Sequence, residues 1–598
     1  MPAGSIIGRS ALAVAAVLAC AGPGRLCAQP QADLEGIWVA ERLVGPTAPI
    51  PVRVDRSGTR WRLRAGTAEA QSDGLRFTLE GGGEFRGRLE ERERLIRGFW
   101  LSPARSTDPS RPFATSVSLR RARAGQWRGE IRPLPDSFTL YLRVFRDGDG
   151  RLVGAFRNPD RNSRGDAARY SVAEEGGTVR LTAGEARLAA TRIAPDRLRI
   201  AWPDVGTLEL AHRPAGQAPG YFPRPPGAPL YLYRQPITTA DGWRTARGRD
   251  LGIDEAALTG LVRRLAGADP AGPRASLIHS VLVAYRGRLV LEEYFYGFDR
   301  DTTHDLRSAG KTYASVLLGA AMMRGLPLGP EAPVYERLGG VGSFAHPDPR
   351  KARITLGHLM THTSGLACDD YDEASPGNED RMSDQSAQPD WWRYTLDLPM
   401  AHEPGTHYAY CSANTNLIGA ALTRATGTWL PEFFDRAVAQ PLQFGPYHWN
   451  LMPSGEGYLG GGAYIRPRDL LKLGQAYLDG GVWNGRRIVE APWVARSTVP
   501  VVEINPATTG LDPEEFSNRY FGGADGYAWH PGIVQAGGRS YRTYGASGNG
   551  GQLLIVVPEL DLAVVFTAEN YRQGGIWGRW QDDLVGGAII PALPAARR

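Results

Sequence analysis

The chain has 598 residues, 42% of them hydrophobic and 22% charged, with a formal net charge of +6. That length exceeds one ordinary domain, and the composition is globular. Acids and bases are interleaved, as in RGRLEERERLIRG (Arg86–Gly98), so there is no basic patch that argues for nucleic acid. Beyond the N-terminus no apolar run approaches the roughly 18 residues needed to cross a bilayer.

The first element in chain order is a leader. Arg9 precedes a small apolar core, ALAVAAVLACA (Ala11–Ala21), which Gly-Pro-Gly ends. This resembles a secretory signal peptide over residues 1–28, with cleavage after Ala21 or Ala28. An imperfect lipobox offers the alternative of a lipoprotein anchored through Cys20. The expected location is periplasmic or secreted. Of four cysteines, the mature chain keeps Cys368 and Cys411, in a compartment where two thiols can pair.

Residues 29–213 read as an all-β domain. Apolar and polar residues alternate in short runs such as RWRLRAG (Arg60–Gly66), FTLYLRVFRD (Phe138–Asp147) and RLRIAW (Arg197–Trp202), separated by Gly/Asp turns. The spacing predicts a barrel or sandwich. A diverged duplication is suggested by Gly36-Ile-Trp38 and Ile96–Trp100 in one unit and by Gly125-Gln-Trp127 and Leu152–Phe156 in another. Residues 214–235, dense in Pro and Gly, read as a linker with extended segments.

From 236 to 598 the pattern changes to α+β, with helices among antiparallel hairpins. DEAALTGLVRRLAG (Asp254–Gly267) has helical periodicity and a capping Asp254. SVLVAYRGRLVLEEYFYG (Ser280–Gly297) reads as a hairpin turning at Arg286-Gly287. An apolar helix is expected over Ser308–Arg324, strands over Gly551–Ala568, and a last helix near Trp577–Ile590.

The stretch RSAGKTYAS (Arg307–Ser315) carries the chemistry. Lysine occurs only at Lys311, Lys351 and Lys472, among 69 Lys and Arg residues. A guanidinium stays charged in a protein, whereas an ammonium can be made to lose its proton. Lys311 lies three residues after Ser308, so both side chains share one face of a first helical turn. A serine hydroxyl is a weak nucleophile until a base takes its proton. Ser-x-x-Lys alone is a weak signal. Two further segments follow in order, PGTHYAYCSANTNLIG (Pro404–Gly419) and YGASGNGGQLLIVVPELDL (Tyr544–Leu562). Together they follow the order of the three motifs of penicillin-recognising serine enzymes.

With ITLGHLMTHTSGL (Ile354–Leu366) and GGGAYIRPRDLLKLGQAYLDGGVWNGRRIV (Gly460–Val489), residues 236–598 resemble the β-lactamase-related serine hydrolase family. This branch holds class C-type β-lactamases, D-amino acid peptidases, esterases and 6-aminohexanoate-dimer hydrolases. The resemblance implies an α+β catalytic domain of the β-lactamase/penicillin-binding type. It implies that Ser308 is the acylated nucleophile, Lys311 its proton-shuttling neighbour, and Tyr410 a general base or acid whose pKa the Lys311 charge lowers. Ser412 would bond the lysine or the substrate. Ala546-Ser547-Gly548 matches the third motif, and the backbone N–H of Asn549 with that of Ser308 would form the oxyanion hole.

Two departures stand out. Ala546 occupies the position where relatives carry Lys or His, which argues against strong β-lactamase activity. Cys411 occupies the middle of the second motif. The resemblance brings it and Cys368 to the cleft and implies a disulfide pinning the Tyr410 loop; the alternative is two buried free thiols. The acidic run Asp369, Asp370, Asp372, Glu373 reads as a solvated loop. THTSG (Thr361–Gly365) reads as a structural turn. The expectation is an exported serine hydrolase of a small-molecule ester or amide, with no cofactor and no metal. The alternatives are a β-lactamase or D-amino acid peptidase, or a non-catalytic binding protein that keeps the fold.

Overall fold

The computed structural model describes residues 34–594, apart from 44–47, 80–82, 91–93, 103–111, 136, 160–168, 204, 219, 385–386 and 521. The expected signal segment, with Cys20, lies outside the described residues. Among the described residues no helix is long and apolar enough to cross a membrane.

The N-terminal part is built of two runs of eight strands. The first run is β1 (Gly36–Leu43), β2 (Ile50–Ser57), β3 (Arg60–Ala65), β4 (Ala68–Ser72), β5 (Arg76–Thr78), β6 (Glu84–Glu90), β7 (Leu95–Leu101) and β8 (Phe113–Arg123). The second is β9 (Gln126–Ile131), β10 (Ser137–Arg146), β11 (Leu152–Arg157), β12 (Arg169–Glu175), β13 (Thr178–Ala183), β14 (Ala186–Ala194), β15 (Arg197–Trp202) and β16 (Gly206–Arg213). In β3 and β15 every second residue is buried, the period expected of strands with one apolar face.

The runs do not close on themselves. β1 pairs with β10 and β16 and completes a closed antiparallel barrel with the second run. β9 pairs with β2 and β8 and so joins the sheet of the first run. Each run therefore lends its first strand to the other. Trp38 is buried in the closed barrel's core and Trp127 in the other core. Gly36-Ile-Trp38 and Gly125-Gln-Trp127 thus stand on equivalent strands. Ile96–Trp100 lies late in its run, on the seventh strand, and Leu152–Phe156 on the third strand of its own. Glycine beside an aromatic is a general strand feature and carries no register.

Residues 214–235 are extended but anchored. Tyr221 is buried with its ring 5.7 Å from that of Tyr141. Arg224 and Arg234 both pair with buried Glu293, the latter at 3.0 Å.

The C-terminal part is organised on a six-stranded antiparallel sheet. Its order is β18 (Arg288–Tyr294), β17 (Ile278–Tyr285), then Leu562–Ala568, Gln552–Val557, Arg539–Gly548 and His530–Ala536. The β17–β18 turn takes positive φ at both Arg286 and Gly287, as a tight hairpin requires. α1 (Glu255–Ala266), capped by Asp254 through the N–H groups of Ala256 and Ala257, packs on one face with the C-terminal helical segment. That segment is π-helical over Gln581–Ile589 rather than one regular α-helix. On the other face lie α2 (Thr312–Met323) and the helices Ser412–Thr426 and Pro467–Leu478. α2 is buried on all sides from Thr312 to Ala321, which is why its sequence is apolar all round.

The sheet of the first run continues into the C-terminal part. β8 pairs through Phe113–Thr115 with β20 (His448–Asn450), β20 with β21 (Ala463–Ile465), and β21 with β19 (His304–Asp305). β19 leads directly into Arg307 and Ser308.

Candidate active site

Ser308 sits in a tight helical turn, Arg307–Lys311, that feeds α2. Arg307 just before it has φ +49°, an uncommon conformation for a residue with a side chain. Asp305 holds it there: its carboxylate accepts the Arg307 N–H at 2.9 Å and faces the guanidinium at 2.9 Å. One turn on, Lys311 is buried and its Nζ donates to Ser308 Oγ at 3.1 Å.

Tyr410 approaches from the other side. Its hydroxyl faces Ser308, and its ring lies 5.1 Å from Lys311 Nζ. His362 supports this tyrosine. Its ring is 4.7 Å from that of Tyr410, and its Nδ1 accepts the Cys411 N–H at 3.2 Å. Burial holds His362 neutral by lowering its pKa to about 4. THTSG is therefore a turn that also positions the site. Cys368 and Cys411 are joined by a disulfide across 43 residues; closing a loop of that order restricts the unfolded chain by about 4 kcal/mol in the chain-entropy account.

The third wall is the end of strand Arg539–Gly548. Ala546, Ser547, Gly548 and Asn549 line a cleft of about 1070 Å³ with Ser308 and Tyr410. Gly548 is required by proximity. A Cβ there would lie 2.2 Å from the Leu306 carbonyl oxygen and 3.0 Å from the Ala309 nitrogen. This approach sets Asn549 beside the nucleophile turn. Ala546 is buried and presents no cation. On the neighbouring strand His530 faces the cleft, held by Asp525 at 2.8 Å.

Ser412 does not reach toward Lys311. Its hydroxyl donates to Glu379 Oε2 at 3.2 Å, and its N–H donates to Asp370 Oδ2 at 2.7 Å. The two carboxylates it contacts form a floor that the sequence does not announce. Asp370 also accepts the Glu379 N–H at 2.9 Å, and Tyr458 donates to Glu379. Only Asp370 of the acidic run turns inward in this way. Its pKa is raised to about 7, first by desolvation and then by the Glu379 charge, against Lys311 and the Ser412 hydrogen bonds.

The electrostatics reverse one expectation. Desolvation pushes the Tyr410 hydroxyl well above the ordinary tyrosine range, and the Asp370 and Glu379 charges add to this, while the Ser308 hydroxyl opposes it. Tyr410 at rest is a phenol, not a phenolate held down by Lys311. Lys311 moves the other way. Burial lowers its pKa, with Glu379 and Asp370 pulling it partly back. The amine, rather than the phenol, is the group primed to accept a proton.

Phe113 of β8 also lines the cleft, its ring edge-on to Tyr464 at 5.3 Å. The N-terminal part thus supplies a wall of the site. No motif marks Phe113, Glu379 or His530, because each reaches the cleft only through tertiary pairing. Among the described residues no group of three or more His, Cys, Asp or Glu could hold a metal ion.

Comparison with known proteins gives a consistent picture. The family model described as Beta-lactamase matches residues 275–573. The 6-aminohexanoate-dimer hydrolase of Paenarthrobacter ureafaciens is 28% identical over 224 residues, 35% of this chain and 54% of that protein. A monacolin J acid methylbutanoyltransferase of Aspergillus terreus is 31% identical over 156 residues, 24% of this chain and 37% of that one. The chain thus spans about half the length of the first of these relatives and little more than a third of the second. Among solved structures, a family VIII carboxylesterase shares 18% identity at a TM-score of 0.43, over 58% of this chain and 99% of that one. A putative 6-aminohexanoate-dimer hydrolase from Bacillus anthracis shares 15% at 0.43, over 53% and 81%.

Proposed function

The chain belongs to the beta-lactamase family, whose model spans residues 275–573, and we propose that it is an exported serine hydrolase cleaving an ester or amide through an acyl-enzyme on Ser308. One observation carries this reading. Lys311 Nζ and the Tyr410 hydroxyl both face the Ser308 hydroxyl at the mouth of a large cleft. That is a nucleophile with its base and its acid in place.

The steps follow from the two proton affinities. Ser308 Oγ attacks the substrate carbonyl carbon, and its proton passes to the Lys311 amine, whose burial favours the unprotonated form that can accept it. The N–H groups of Ser308 and Asn549 receive the oxyanion; such donors are typically worth about a hundred- to a thousand-fold in rate. Tyr410, protonated at rest, donates to the leaving alkoxide or amine and is reprotonated from Lys311. The bond to the leaving group breaks and the acyl group stays on Ser308. Water then releases it by the same steps in reverse.

Ala546 offers nothing to anchor a substrate carboxylate, which favours an ester or linear amide over a β-lactam or a D-amino acid peptide. The relatives named as a 6-aminohexanoate-dimer hydrolase and a methylbutanoyltransferase support an acyl group carried by the protein. Export is supported by the leader sequence and by the Cys368–Cys411 disulfide. A purely binding role is disfavoured by the retention of Ser308, Lys311 and Tyr410 together. The test is acylation by p-nitrophenyl butyrate followed by peptide mapping. A butyryl group on Ser308 is expected; turnover with the adduct on another residue would overturn the assignment.

The carboxylate floor yields a pH prediction. Glu379→Gln removes the strongest charge holding a proton on Lys311 while leaving acceptors for Tyr458 and Ser412. The lysine then loses its proton more readily. The ascending limb of the kcat/KM profile is expected to move down by about one pH unit, read between pH 5 and 10. Stability gives a second readout. The folded Asp370 pKa of about 7 lies above its ordinary value of 3.8. Its contribution to stability is complete below that ordinary value and is lost as pH rises through about 7. The variant should therefore gain Tm over the wild type at pH 8 and little at pH 5.

A further inference from the structure

The closed barrel sends several arginines to the catalytic part, among them Arg143 to Asp269 and Arg169 to the Ala271 carbonyl, and of these Arg157 is the fully buried one. Arg157, at the end of β11, pairs with Glu569, just beyond strand Leu562–Ala568; their side chains are 3% and 2% exposed. The guanidinium also donates to the Gly220 carbonyl and, at 2.9 Å, to that of Tyr221, and it lies 3.9 Å over the Tyr296 ring. Against the burial that would raise it, Arg157 and then His279 hold Glu569 ionised, at about 2.

Two paths lead from Glu569 to the reacting centre. In the first, Glu569 Oε2 is 3.1 Å from His279 Nε2, and His279 Nδ1 is 2.9 Å from His304 Nε2. With Glu569 ionised, neutral His279 donates to it and accepts from His304, so His304 Nδ1, 3.1 Å from the Asp305 carbonyl oxygen, carries no proton toward it and the link to Asp305 is the chain itself. His304 and Asp305 are β19, and Asp305 fixes the left-handed Arg307 before Ser308. In the second, the backbone after Glu569 reaches the other oxyanion donor. The Asn570 N–H donates to the Gly550 carbonyl at 3.0 Å, and the Arg572 N–H to Asn549 Oδ1 at 2.8 Å. Both residues whose N–H groups would receive the oxyanion therefore connect to Glu569, one through its buried carboxylate and the other through the backbone that follows it, and the counter-ion of that carboxylate belongs to the barrel.

An interface needing only adhesion has no use for this arrangement. Burying an ion pair costs several kcal/mol per ion before its partners compensate, and well-packed apolar residues often do as well. What a buried hydrogen-bonded network supplies is a fixed geometry. We propose that Arg157 is a positioning residue for the reaction: acting through Glu569, His279 and His304, it fixes the Asp305–Ser308 turn and the Asn549 loop. This rests on the serine hydrolase reading of Ser308. It makes the N-terminal barrel a working part of the active site rather than an appended module.

The test compares the full-length wild type with Arg157→Met, Arg157→Lys and the double variant Arg157→Met/Glu569→Gln. The double variant leaves no unpaired buried charge and guards against simple unfolding. Three quantities are read: the rate of Ser308 labelling by a fluorophosphonate, KM for p-nitrophenyl butyrate, and deuterium exchange of the amides at 304–309. In the double variant labelling should slow about ten- to a hundred-fold, as for a misplacement near 1 Å. KM should stay within about twofold and exchange should quicken by about tenfold or more, the local opening expected of a loosened segment. Arg157→Lys should recover part of both. A folded double variant with wild-type labelling and wild-type exchange would overturn the proposal. So would a lowered Tm with unchanged labelling. Failure of the wild type to label at Ser308 would overturn the hydrolase reading alone, and the exchange at 304–309 would still decide the mechanical link.

Discussion

Ser308→Ala is expected to reduce kcat for p-nitrophenyl butyrate by roughly five to six orders of magnitude, with KM changed little. Removing one member of a nucleophile–base unit typically costs about as much as removing the whole unit. Ser308 is the hydroxyl that Lys311 Nζ bonds. The Thr361 and Thr363 hydroxyls bond each other at 2.9 Å, and Thr361 donates to the Gly357 carbonyl at 3.0 Å. The Ser412 hydroxyl is committed to Glu379. Alanine keeps the backbone N–H at 308 and the tight approach of Gly548, so the residual rate reports the oxyanion donors alone, on the order of a thousand-fold over water. Stability should barely change, because Ser308 is only partly buried at the head of α2. Initial rates with the purified variant, beside a mock purification, give the measurement. A folded variant retaining more than about a hundredth of the wild-type rate would remove Ser308 from the mechanism.

The parts of this molecule written locally were legible. Ser308 and Lys311 lie one helical turn apart, and α2 reads as apolar for the reason it is central. The alternation in β3 and β15 follows from a barrel with one apolar face. The Asp254 cap and the Arg286-Gly287 turn are set by the conformations those positions need. Partnership across the sequence was not legible. Nothing in Gly36-Ile-Trp38 says that β1 closes the barrel of the other run, because the barrel and the sheet each bury a tryptophan at that point. Asp370 reads as one solvated acid among four until the Ser412 and Glu379 N–H groups meet it. Arg157 reads as an ordinary strand arginine until the chain returns 412 residues later with Glu569.

The rarity of lysine was an ambiguous sign, and the fold explains why. Lys351 and Lys472 are as buried as Lys311. Lys351 Nζ donates to the carbonyls of Ala345 and Leu396 at 2.9 and 3.1 Å. Lys472 Nζ donates to the Gln443 carbonyl and to Asp469, both at 2.7 Å. This chain uses arginine both at its surface and in buried ion pairs such as those of Arg157 and Arg468, whereas all three lysines are enclosed and meet acceptors. Scarcity alone marks burial, not catalysis. What separates Lys311 is its partner, the Ser308 hydroxyl, which in the proposed reaction gives up a proton.

Lys311→Arg tests that distinction. The guanidinium keeps the positive charge near Asp370 and Glu379, so the floor carboxylates retain a counter-ion. It cannot release its proton in a protein, and its flat fork is larger than the ammonium in a site enclosed by the Tyr410 ring. Overpacking is expected to cost about 1–3 kcal/mol of stability, which leaves a folded protein to measure. Turnover of p-nitrophenyl butyrate should fall by about a thousand- to ten-thousand-fold, the upper range for loss of a positioned base. The residual rate should rise with pH in step with hydroxide, because no group with the affinity of Lys311 remains to take the serine proton. Lys311→Met removes charge and base together and should leave Asp370 protonated to higher pH, since the lysine is what draws its pKa down. If arginine supports turnover within about tenfold of wild type, the charge is sufficient and proton transfer must belong to Tyr410. If arginine fails as methionine does, the proton is the reason that position 311 is lysine.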